Sequence, residues 1–341
     1  MTERETEIAR FLDAAGWSDA ELTPLAGDAS LRRYVRLSRG DVDRAILMDA
    51  PPQTGEDVRP FVRIGDWLRE RGFSAPEILA CEAARGLLLL EDLGDDLLAC
   101  HALAHPEEEP ALYAAAAETL AALHRRTPPR LRHYPEQMPE LAATVVDWYA
   151  PHARHRRDAI AAAMRSALDA MPDGPVVFVH RDYHAENLIW LPDRRGAARI
   201  GLLDFQDAMA GPAEYDLASL IDDPRRPVSE MARAAALDAY LHATGLDADV
   251  LKARMAVCSV QRSLRIIGRV FTRLALHSGR TGYLRFIPPT WTAMQRELRH
   301  PALAELRILL DDLLPEPDAA WLADVEARAG DDAGRDHAGA A

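Results

Sequence analysis

Three polar side chains at a fixed spacing could together carry out one chemistry in this chain. Asp182 precedes Asn187 by five residues, and Asp204 follows the apolar pair Leu202-Leu203. Phosphoryl transfer from a nucleotide uses such a set, because one carboxylate accepts the proton of the attacking hydroxyl while an amide oxygen and a second carboxylate hold Mg²⁺ against the phosphates. The pattern therefore predicts a phosphoryl-transfer site with ATP and Mg²⁺ as cofactors.

The elements that must position these side chains are a short strand and a hairpin. Residues 176–179 are apolar and predict a buried strand that delivers Asp182 to a loop. Residues 188–191 and 199–203 predict a hairpin around the turn 192–196. We therefore expect the three polar groups at strand ends, close together in space. The alternative is a hairpin whose turn acids are only solvated.

Composition restricts the partners of the chain. The 341 residues are 48% hydrophobic and 28% charged, which fits a globular protein of one large or two smaller domains. A net charge of −14 provides no basic field for nucleic acid or an anionic membrane. An anionic nucleotide must then be held by Mg²⁺ and a few local arginines, since Lys252 is the single lysine.

The cysteines and the N-terminal residues predict a cytoplasmic protein. Cys81, Cys100 and Cys258 are far apart and odd in number, so we expect buried, reduced thiols without a metal. Residues 1–7 are acidic and lack the apolar core of a signal peptide. Apolar runs are all too short to predict a membrane span.

The first 93 residues predict a small lobe of mixed helix and strand. Helical spacing of apolar side chains marks residues 3–15 and 56–71. Alternation or short apolar runs predict strands in the second half of 22–37 and at 44–50, 78–81 and 86–92. A tight turn, Gly27-Asp28-Ala29-Ser30, lies inside the first of these stretches.

Helical patterns dominate after Asp96, apart from the hairpin. They cover residues 113–125, 145–168, 214–221, 228–244, 247–278, 290–299 and 302–313. The predicted fold class is α+β and bilobal. Its parts are a small antiparallel-sheet, nucleotide-binding lobe (1–93), a larger and mostly helical catalytic lobe (94–329), and a disordered tail (330–341). A cofactor is expected in the cleft between the lobes.

On these motifs the chain resembles the aminoglycoside phosphotransferase family, whose members have a protein-kinase-like fold. The resemblance covers roughly residues 20–310 and is strongest in His180-x-Asp182-x-x-x-x-Asn187, in Asp204-Phe205-Gln206-Asp207 and in residues 211–220. Several blocks look like the bacterial anomeric kinases that phosphorylate N-acetylmuramate and N-acetylglucosamine at the C1 hydroxyl. These blocks are residues 27–34, Met48-Asp49-Ala50-Pro51-Pro52, Leu90-Glu91-Asp92-Leu93-Gly94, His180-Arg181-Asp182-Tyr183 and Gln261-Arg262.

The resemblance implies a role for each matching residue. Asp182 is then the catalytic base, and Asn187 and Asp204 are the Mg²⁺ ligands. Two segments are expected to bind the nucleotide: the covering turn and the hinge whose backbone pairs with adenine. Their members are Gly27, Asp28, Ser30, Arg32, Arg33, Glu91, Asp92 and Leu93.

The chain departs from the kinase pattern at the phosphate-binding lysine. Met48 occupies the strand position that normally carries this lysine, and the covering turn has Gly27 as its single glycine. Either the protein is inactive, or Mg²⁺ and an arginine replace the lysine. Arg32 or Arg33 is the nearest candidate, because a guanidinium can hold phosphate oxygens with two hydrogen bonds.

Further residues around the motif divide into substrate candidates and structural supports. The substrate candidates are Arg181, His184, Glu186, Arg262 and Arg265. The expected supports are His180, Asp207 and Asp216. Asp216 is expected to accept hydrogen bonds from backbone N–H groups of the catalytic loop. The arginine-rich stretch 262–273 is either a solvated helix face or a source of cations for a substrate carboxylate.

Three functional hypotheses remain open from the sequence. The first is a monomeric, ATP- and Mg²⁺-dependent kinase of the anomeric hydroxyl of N-acetylated amino sugars recovered from the cell wall, without nucleic-acid or membrane partners. The second changes the acceptor to an aminoglycoside, choline-like or homoserine-like alcohol, which requires an acidic site if the acceptor is a cation. The third, motivated by Met48, is a nucleotide-binding module without catalysis.

Overall fold

The chain forms two compact units. The computed structural model describes residues 2–25, 32–40 and 43–331. Unit 1 comprises Met1–Glu107 and Ala185–Ala208, and unit 2 comprises Glu108–His184 and Met209–Ala341. The predicted nucleotide-binding residues Gly27, Asp28 and Ser30 lie outside the described residues, as does the tail from residue 332 onwards.

Nine strands are present in the described part of the chain. They are β1 (Glu21–Pro24), β2 (Arg33–Arg39), β3 (Asp43–Asp49), β4 (Ile78–Glu82), β5 (Leu87–Glu91), β6 (Val176–Val179), β7 (Leu188–Trp190), β8 (Ile200–Leu202) and β9 (Met209–Pro212). The first five form one antiparallel sheet in unit 1, in the order β1-β2-β3-β5-β4. In unit 2, β6 pairs with β9. The strands predicted at 44–50, 78–81, 86–92 and 176–179 are confirmed.

The five-stranded sheet of unit 1 has two different faces because successive side chains of a strand point to opposite sides. One face packs against α1 (Glu3–Ala14), where Leu37, Leu47 and Leu89 are buried with Phe11 and Leu12 of the helix. The opposite face carries Tyr34 and Arg36 of β2 beside their register partners Met48 and Ile46 of β3. This second face is the one that lines a pocket, described below.

The β7–β8 hairpin belongs to unit 1. Leu188 pairs with Leu202, and the backbone N–H of Leu202 also donates to the carbonyl of Ser74 at 2.7 Å. The N–H of Trp190 donates to the carbonyl of Asp96 at 2.8 Å. Because of these bonds, residues 94–107 and 185–208 group with the N-terminal residues, whereas the sequence predicted them in the helical lobe.

Fourteen α-helices are present in the same described ranges, three in unit 1 and eleven in unit 2. They are α1, α2 (Arg59–Glu70) and α3 (Leu98–Ala104) in unit 1, and in unit 2 α4 (Glu109–His124), α5 (Met138–Ala143), α6 (Val145–Trp148), α7 (Arg157–Asp169), α8 (Glu214–Ile221), α9 (Glu230–Thr244), α10 (Ala248–Arg265), α11 (Arg273–Ser278), α12 (Ile287–Glu297), α13 (Ala304–Leu313) and α14 (Ala319–Ala327). The predicted α+β class, with an antiparallel sheet followed by a mostly helical part, is confirmed.

A π-helix interrupts the helical stretch predicted at 247–278. It runs from Ile266 to Thr272, between α10 and α11. A Cβ atom on Gly268 would lie 2.6 Å from the Cα of Val145, so only glycine lets the π-helix approach α6 this closely. Such wide turns inside α-helices occur frequently at functional sites.

Two expectations concern the cysteines and membrane segments. Cys258 is buried, but Cys81 and Cys100 are exposed, so the expectation of three buried thiols is wrong for these two; all three are free. Cys81 alternates with inward-facing residues on the edge strand β4, which explains its exposure. Among the residues that the structure describes, no helix has the length and apolar character needed to cross a membrane.

Candidate active site

The loop after β6 holds Asp182 at the end of a strand, as predicted. Arg181 has φ of 78°, in the left-handed region that costs a non-glycine residue roughly 1–3 kcal/mol. The buried carboxylate of Asp216, in α8, accepts hydrogen bonds from the backbone N–H groups of His180 at 2.5 Å and Arg181 at 2.9 Å. These bonds stabilise the strained loop, and they are the contacts expected for Asp216.

Burial and hydrogen bonding act in opposite directions on the pKa of Asp216. Burial, and to a smaller extent the nearby Asp182, raise the pKa of Asp216 to about 7, although the two N–H donors favour the carboxylate. The hydrogen bonds therefore have to offset the desolvation of a fully buried acid.

Replacing Asp216 by Ala is expected to destabilise the fold by about 2–5 kcal/mol. The substitution leaves two N–H groups of the loop without their acceptor, and each buried unsatisfied donor costs roughly 1–3 kcal/mol. Asp216→Asn keeps one acceptor oxygen, so we expect a smaller loss. Chemical denaturation of both variants measures the effect. The exposed Asp311→Ala in α13 is the control, and an unfolding midpoint for Asp216→Ala equal to that of the control would contradict the assignment.

Asp182 is strongly ionised. Its side chain is 37% exposed, and Oδ1 lies 3.8 Å from Nη2 of the buried Arg265 in α10. Burial alone would raise the pKa of Asp182, but the charges of Arg265 and, to a smaller extent, Arg181 help to lower it to about 2. A carboxylate with this pKa is a weak base that is always charged near neutral pH. It can orient a hydroxyl and accept its proton late in the transfer.

Removing the charge of Arg265 is expected to shift the acid limb of activity. A lowered pKa keeps Asp182 in its base form as the pH falls, until the pH reaches that pKa. In Arg265→Gln the main lowering cause is lost, so the pKa of Asp182 rises and activity falls at a higher pH than in the wild type. The measurement is kcat/KM for a neutral acceptor, with saturating Mg-ATP, from the lowest pH at which both proteins stay folded up to pH 9. Superimposable profiles would show that Arg265 does not set the ionisation of Asp182.

The two histidines of the loop are buried and serve no evident acid role. His180 packs edge-on against Tyr183, with ring centroids 5.7 Å apart. Burial, together with Arg225, lowers the pKa of His184 to about 3, so His184 is neutral under physiological conditions. Its role in the acceptor site stays a prediction.

A pocket of about 320 Å³ lies within unit 1. Its apolar walls come from Ile46, Leu90, Phe61 and Ile189. Residues of the predicted site are also in the lining: the apolar Leu93 and the polar Glu91, Asp92, Glu186, Asn187 and Asp204. A concave site with apolar walls and a few convergent polar groups suits a flat heterocycle with a charged tail.

Asp204 and Asn187 have the donor chemistry that Mg²⁺ requires. Both offer hard oxygen atoms to the same pocket. Asp204 has φ of 57°, a left-handed conformation that Asp adopts more readily than most residues. The next residue, Phe205, is buried and stacks on Phe61 of α2 at 4.6 Å, and Gln206 Nε2 donates to Asp204 Oδ1 at 2.7 Å. These residues therefore fit a magnesium ion, and the packing of Phe205 holds Asp204 in place.

The two candidate replacements for the lysine lie on opposite faces of the sheet. Nε of Arg32 is 2.7 Å from Glu56, and Nη1 of Arg32 is 3.8 Å from Oδ1 of Asp204. Arg33 instead pairs with Asp49 at 2.6 Å on the α1 side, and its side chain is 65% exposed. The buried Met48 is 1% exposed and carries no charge. Arg32 therefore stands beside the proposed metal ligand, whereas Arg33 does not.

Two residues of the predicted hinge, Glu91 and Asp92, form hydrogen bonds and ion pairs within the protein. The N–H of Glu91 donates to the carbonyl of Glu77 at 2.7 Å, and its carboxylate pairs with Arg194. Asp92 accepts from Arg36 and from the N–H of Gly94. Asp92 and Leu93 both line the pocket, so the predicted backbone pairing with adenine is assigned to these two residues.

The remaining predicted residues differ in burial. Arg262 and Arg265 are 4% and 7% exposed, so their helix is not a solvated face there. Burial and neighbouring Arg225 lower the pKa of Arg262, although Asp223 acts in the opposite direction. Glu186 lines the pocket of unit 1, and Asp207 is exposed.

Sequence reasoning did not identify Glu56 and Arg36. Glu56 precedes α2 and binds Arg32, and Arg36 lines the pocket while pairing with Asp92 at 2.7 Å. The alternating charged and aromatic residues Arg32, Tyr34 and Arg36 were the available signal, because a strand places all three on one face.

Comparisons with known proteins identify the family of this chain. The sequence model of the phosphotransferase enzyme family matches residues 21–254. An N-acetylmuramate/N-acetylglucosamine kinase of Caulobacter vibrioides is 39% identical, with 92% of this chain and 98% of the relative covered. The kinase of the same name from Pseudomonas aeruginosa is 35% identical over 88% of this chain and 91% of its own length.

Solved structures show the same fold at low identity. A choline/ethanolamine kinase family protein from Mesorhizobium loti superposes with a TM-score of 0.61 at 17% identity, covering 95% of this chain and 99% of that one. A choline kinase from Streptococcus pneumoniae gives a TM-score of 0.59 at 15% identity, covering 89% and 99%. The family match spans most of the chain and includes Asp182, Asn187 and Asp204. This chain therefore belongs to the phosphotransferase enzyme family.

Proposed function

We propose that the protein is an ATP-dependent kinase of the anomeric C1 hydroxyl of N-acetylmuramate and N-acetylglucosamine, acting in the recycling of cell-wall sugars. The observation that carries this proposal is the identity of 39% and 35%, over nearly the whole chain, to two kinases named for these sugars. The charges around Asp182 support the choice of acceptor, because Arg265 and Arg181 would repel a cationic alcohol.

Asp182 acts in this proposal on the acceptor hydroxyl. An anomeric hydroxyl is more acidic than an ordinary alcohol, so a carboxylate with a pKa of about 2 has to orient it and take its proton late in the transfer. Catalysis then depends mainly on position and charge neutralisation, as phosphoryl transfer requires. His184 is neutral and cannot compete as a proton donor.

ATP and Mg²⁺ are assigned to the residues of unit 1. Asn187 and Asp204 would hold the ion, which neutralises charge on the phosphates when bound. The pocket walls formed by Ile46, Leu90 and Ile189 would cover the adenine. Arg32 supplies the cation that Met48 does not, and its pairing with Glu56 reproduces a cation–glutamate pair. We also propose that the enzyme is monomeric and cytoplasmic, and that it has neither a nucleic-acid nor a membrane partner.

Arg32→Ala is expected to raise the KM for ATP or lower kcat by roughly tenfold or more, since a charge-assisted contact to phosphate is lost. Arg33→Ala is the matched control, because the side chain of Arg33 lies on the α1 side of the sheet and is mostly exposed. Met48→Ala is expected to reduce stability and leave the nucleotide parameters nearly constant. Steady-state kinetics with varied ATP tests all three. Wild-type behaviour of both arginine variants would leave the metal as the sole phosphate clamp.

The acceptor itself is tested by an ATP-consumption screen over N-acetylmuramate, N-acetylglucosamine, glucosamine, choline and kanamycin. Phosphorus NMR of the product identifies the position, because a sugar 1-phosphate couples to the anomeric proton and a 6-phosphate does not. Activity confined to choline or kanamycin, or a 6-phosphate product, would refute the proposed acceptor. No turnover of any alcohol would favour the non-catalytic module.

A further inference from the structure

Four arginines lie near one another in unit 2, and one of them, Arg265, reaches Asp182. This arginine cluster consists of Arg181, Arg265, Arg269 and Arg273. Arg265 ends α10, Arg269 lies in the π-helix, and Arg273 begins α11. Arg265 reaches to 3.8 Å from Asp182. The cluster therefore adjoins the group to which the acceptor hydroxyl is assigned.

The two carboxylates that lie near the cluster, Asp182 and Asp147, already take part in ion pairs. Asp182 is shared with Arg265. Asp147 lies near Arg269 but already pairs with Arg157 at 3.5 Å and Arg154 at 3.7 Å. Across residues 2–25, 32–40 and 43–331, Arg269 forms no ion pair with a carboxylate. These four arginines therefore gather in one place in a chain whose net charge is −14.

The repulsion within the cluster acts most clearly on Arg269. Its guanidinium is partly buried, and burial together with Arg273, Arg265 and Arg181 lowers the pKa of Arg269, with Asp147 acting in the opposite direction. Like charges held together out of water raise the free energy of the protein. A bound anion would relieve this cost, so the arrangement favours anion binding.

The cluster is held in place by aromatic and helical contacts. The guanidinium of Arg181 lies 5.3 Å from the ring centre of the buried Tyr134, and that of Arg273 lies 5.9 Å from Trp148. The hydroxyl of Tyr134 donates to that of Tyr215 at 3.1 Å. The close approach of Gly268 to α6 fixes the π-helix that carries Arg269. Guanidiniums held in this way lose little freedom on binding an anion.

We propose that the arginine cluster binds a carboxylate of the acceptor, and that Arg269 is the residue that makes the enzyme prefer N-acetylmuramate to neutral sugars. The inference rests on the proposed function and refines it. N-acetylmuramate carries a lactyl carboxylate that N-acetylglucosamine lacks. The phosphates of the nucleotide are a second possible source of the anion. We assign the acceptor because Arg265 contacts the residue that orients the acceptor hydroxyl.

The experiment compares two acceptors that differ in one charge: N-acetylmuramate and its carboxamide. The wild type should favour the acid in kcat/KM by roughly 10- to 100-fold, the usual range for losing one charge-assisted partner. In Arg269→Gln this preference should fall by at least about tenfold. Arg280→Gln, an exposed position in the same unit, is the matched control and should keep the wild-type preference. Calorimetry of both sugars without nucleotide gives the same comparison independently of turnover.

Each result distinguishes the inference from the proposed function. Turnover of the amino sugars with equal kcat/KM for acid and amide in the wild type would overturn the role of the cluster and leave the kinase assignment standing. An equal fall for both acceptors in Arg269→Gln would also overturn it, since the effect would not depend on the carboxylate. A raised KM for ATP, with the acid preference kept, would assign the cluster to the nucleotide phosphates instead. Absence of turnover and of binding for every amino sugar would remove the proposed function and the inference together.

Discussion

Asp182→Asn is expected to lower kcat by roughly 10²–10⁴-fold while the affinity for Mg-ATP stays close to that of the wild type. The amide has nearly the shape of the carboxylate but cannot accept the proton of the acceptor hydroxyl. It also removes the negative charge beside Arg265, which lies 3.8 Å away. The carboxylate of Asp182 both orients the hydroxyl and accepts its proton, so the variant loses both contributions to catalysis.

The measurements for this variant are kcat and kcat/KM with N-acetylglucosamine, and calorimetry with Mg-ATP. Asp158→Asn, an exposed acid in α7 of the same unit, is the control. A denaturation curve is needed as well, since Arg265 is left buried without its counterion, and an uncompensated buried charge destabilises the fold. Turnover close to the wild-type rate would remove Asp182 from its role, and a parallel loss of ATP affinity would place it in nucleotide binding.

The elements around the catalytic motif could be predicted from local patterns. The strand at 176–179 and the hairpin of β7 and β8 are confirmed, because short apolar runs bounded by turn residues specify them without tertiary information. The backbone bonds of Asp216 were also expected. A buried acid beside a strained loop has few other ways to satisfy its oxygens.

The choice between Arg32 and Arg33 required the register of the sheet. Both residues have the same chemistry, and only the pairing of Arg33 with Asp49 shows which side of the sheet each faces. Alternation along β2 places Arg32 and Arg33 on opposite faces of the sheet. Which of these faces lines the pocket depends on which one α1 covers. A contact over 45 residues, between Arg4 and Asp49, contributes to that outcome.

The arginine-rich stretch shows a second limit of the sequence. A helix with four arginines at spacings of three or four residues is typical of a solvated face. The structure instead buries Arg262 and Arg265, and it changes the helical period between Ile266 and Thr272. No local pattern predicts a π-helix, because the wide turn depends on the approach of Gly268 to α6 in the folded protein.

Asp204→Ala is expected to abolish the metal dependence of nucleotide binding. Mg²⁺ bridges the phosphates and needs a hard, charged oxygen ligand, and Asp204 offers one to the pocket that also contains Asn187. Calorimetric titration of ATP with Mg²⁺, and with a chelator in its place, gives the difference directly. We expect Mg²⁺ to strengthen ATP binding in the wild type and to have no effect in the variant. Weak binding without metal should remain, since Arg32 keeps its charge beside the pocket.

Two further variants separate charge from backbone conformation at this position. Asp204 has φ of 57°, which Ala tolerates poorly and Asn accepts well. Asp204→Asn should therefore keep the fold and still lose most of the metal effect, because a neutral amide replaces the carboxylate. Asp193→Ala, an exposed turn acid of the same unit, should bind Mg-ATP as the wild type does. An unchanged affinity of Asp204→Asn for Mg-ATP would show that the metal has another carboxylate ligand, and Asp204 would then be a structural residue of the turn before Phe205.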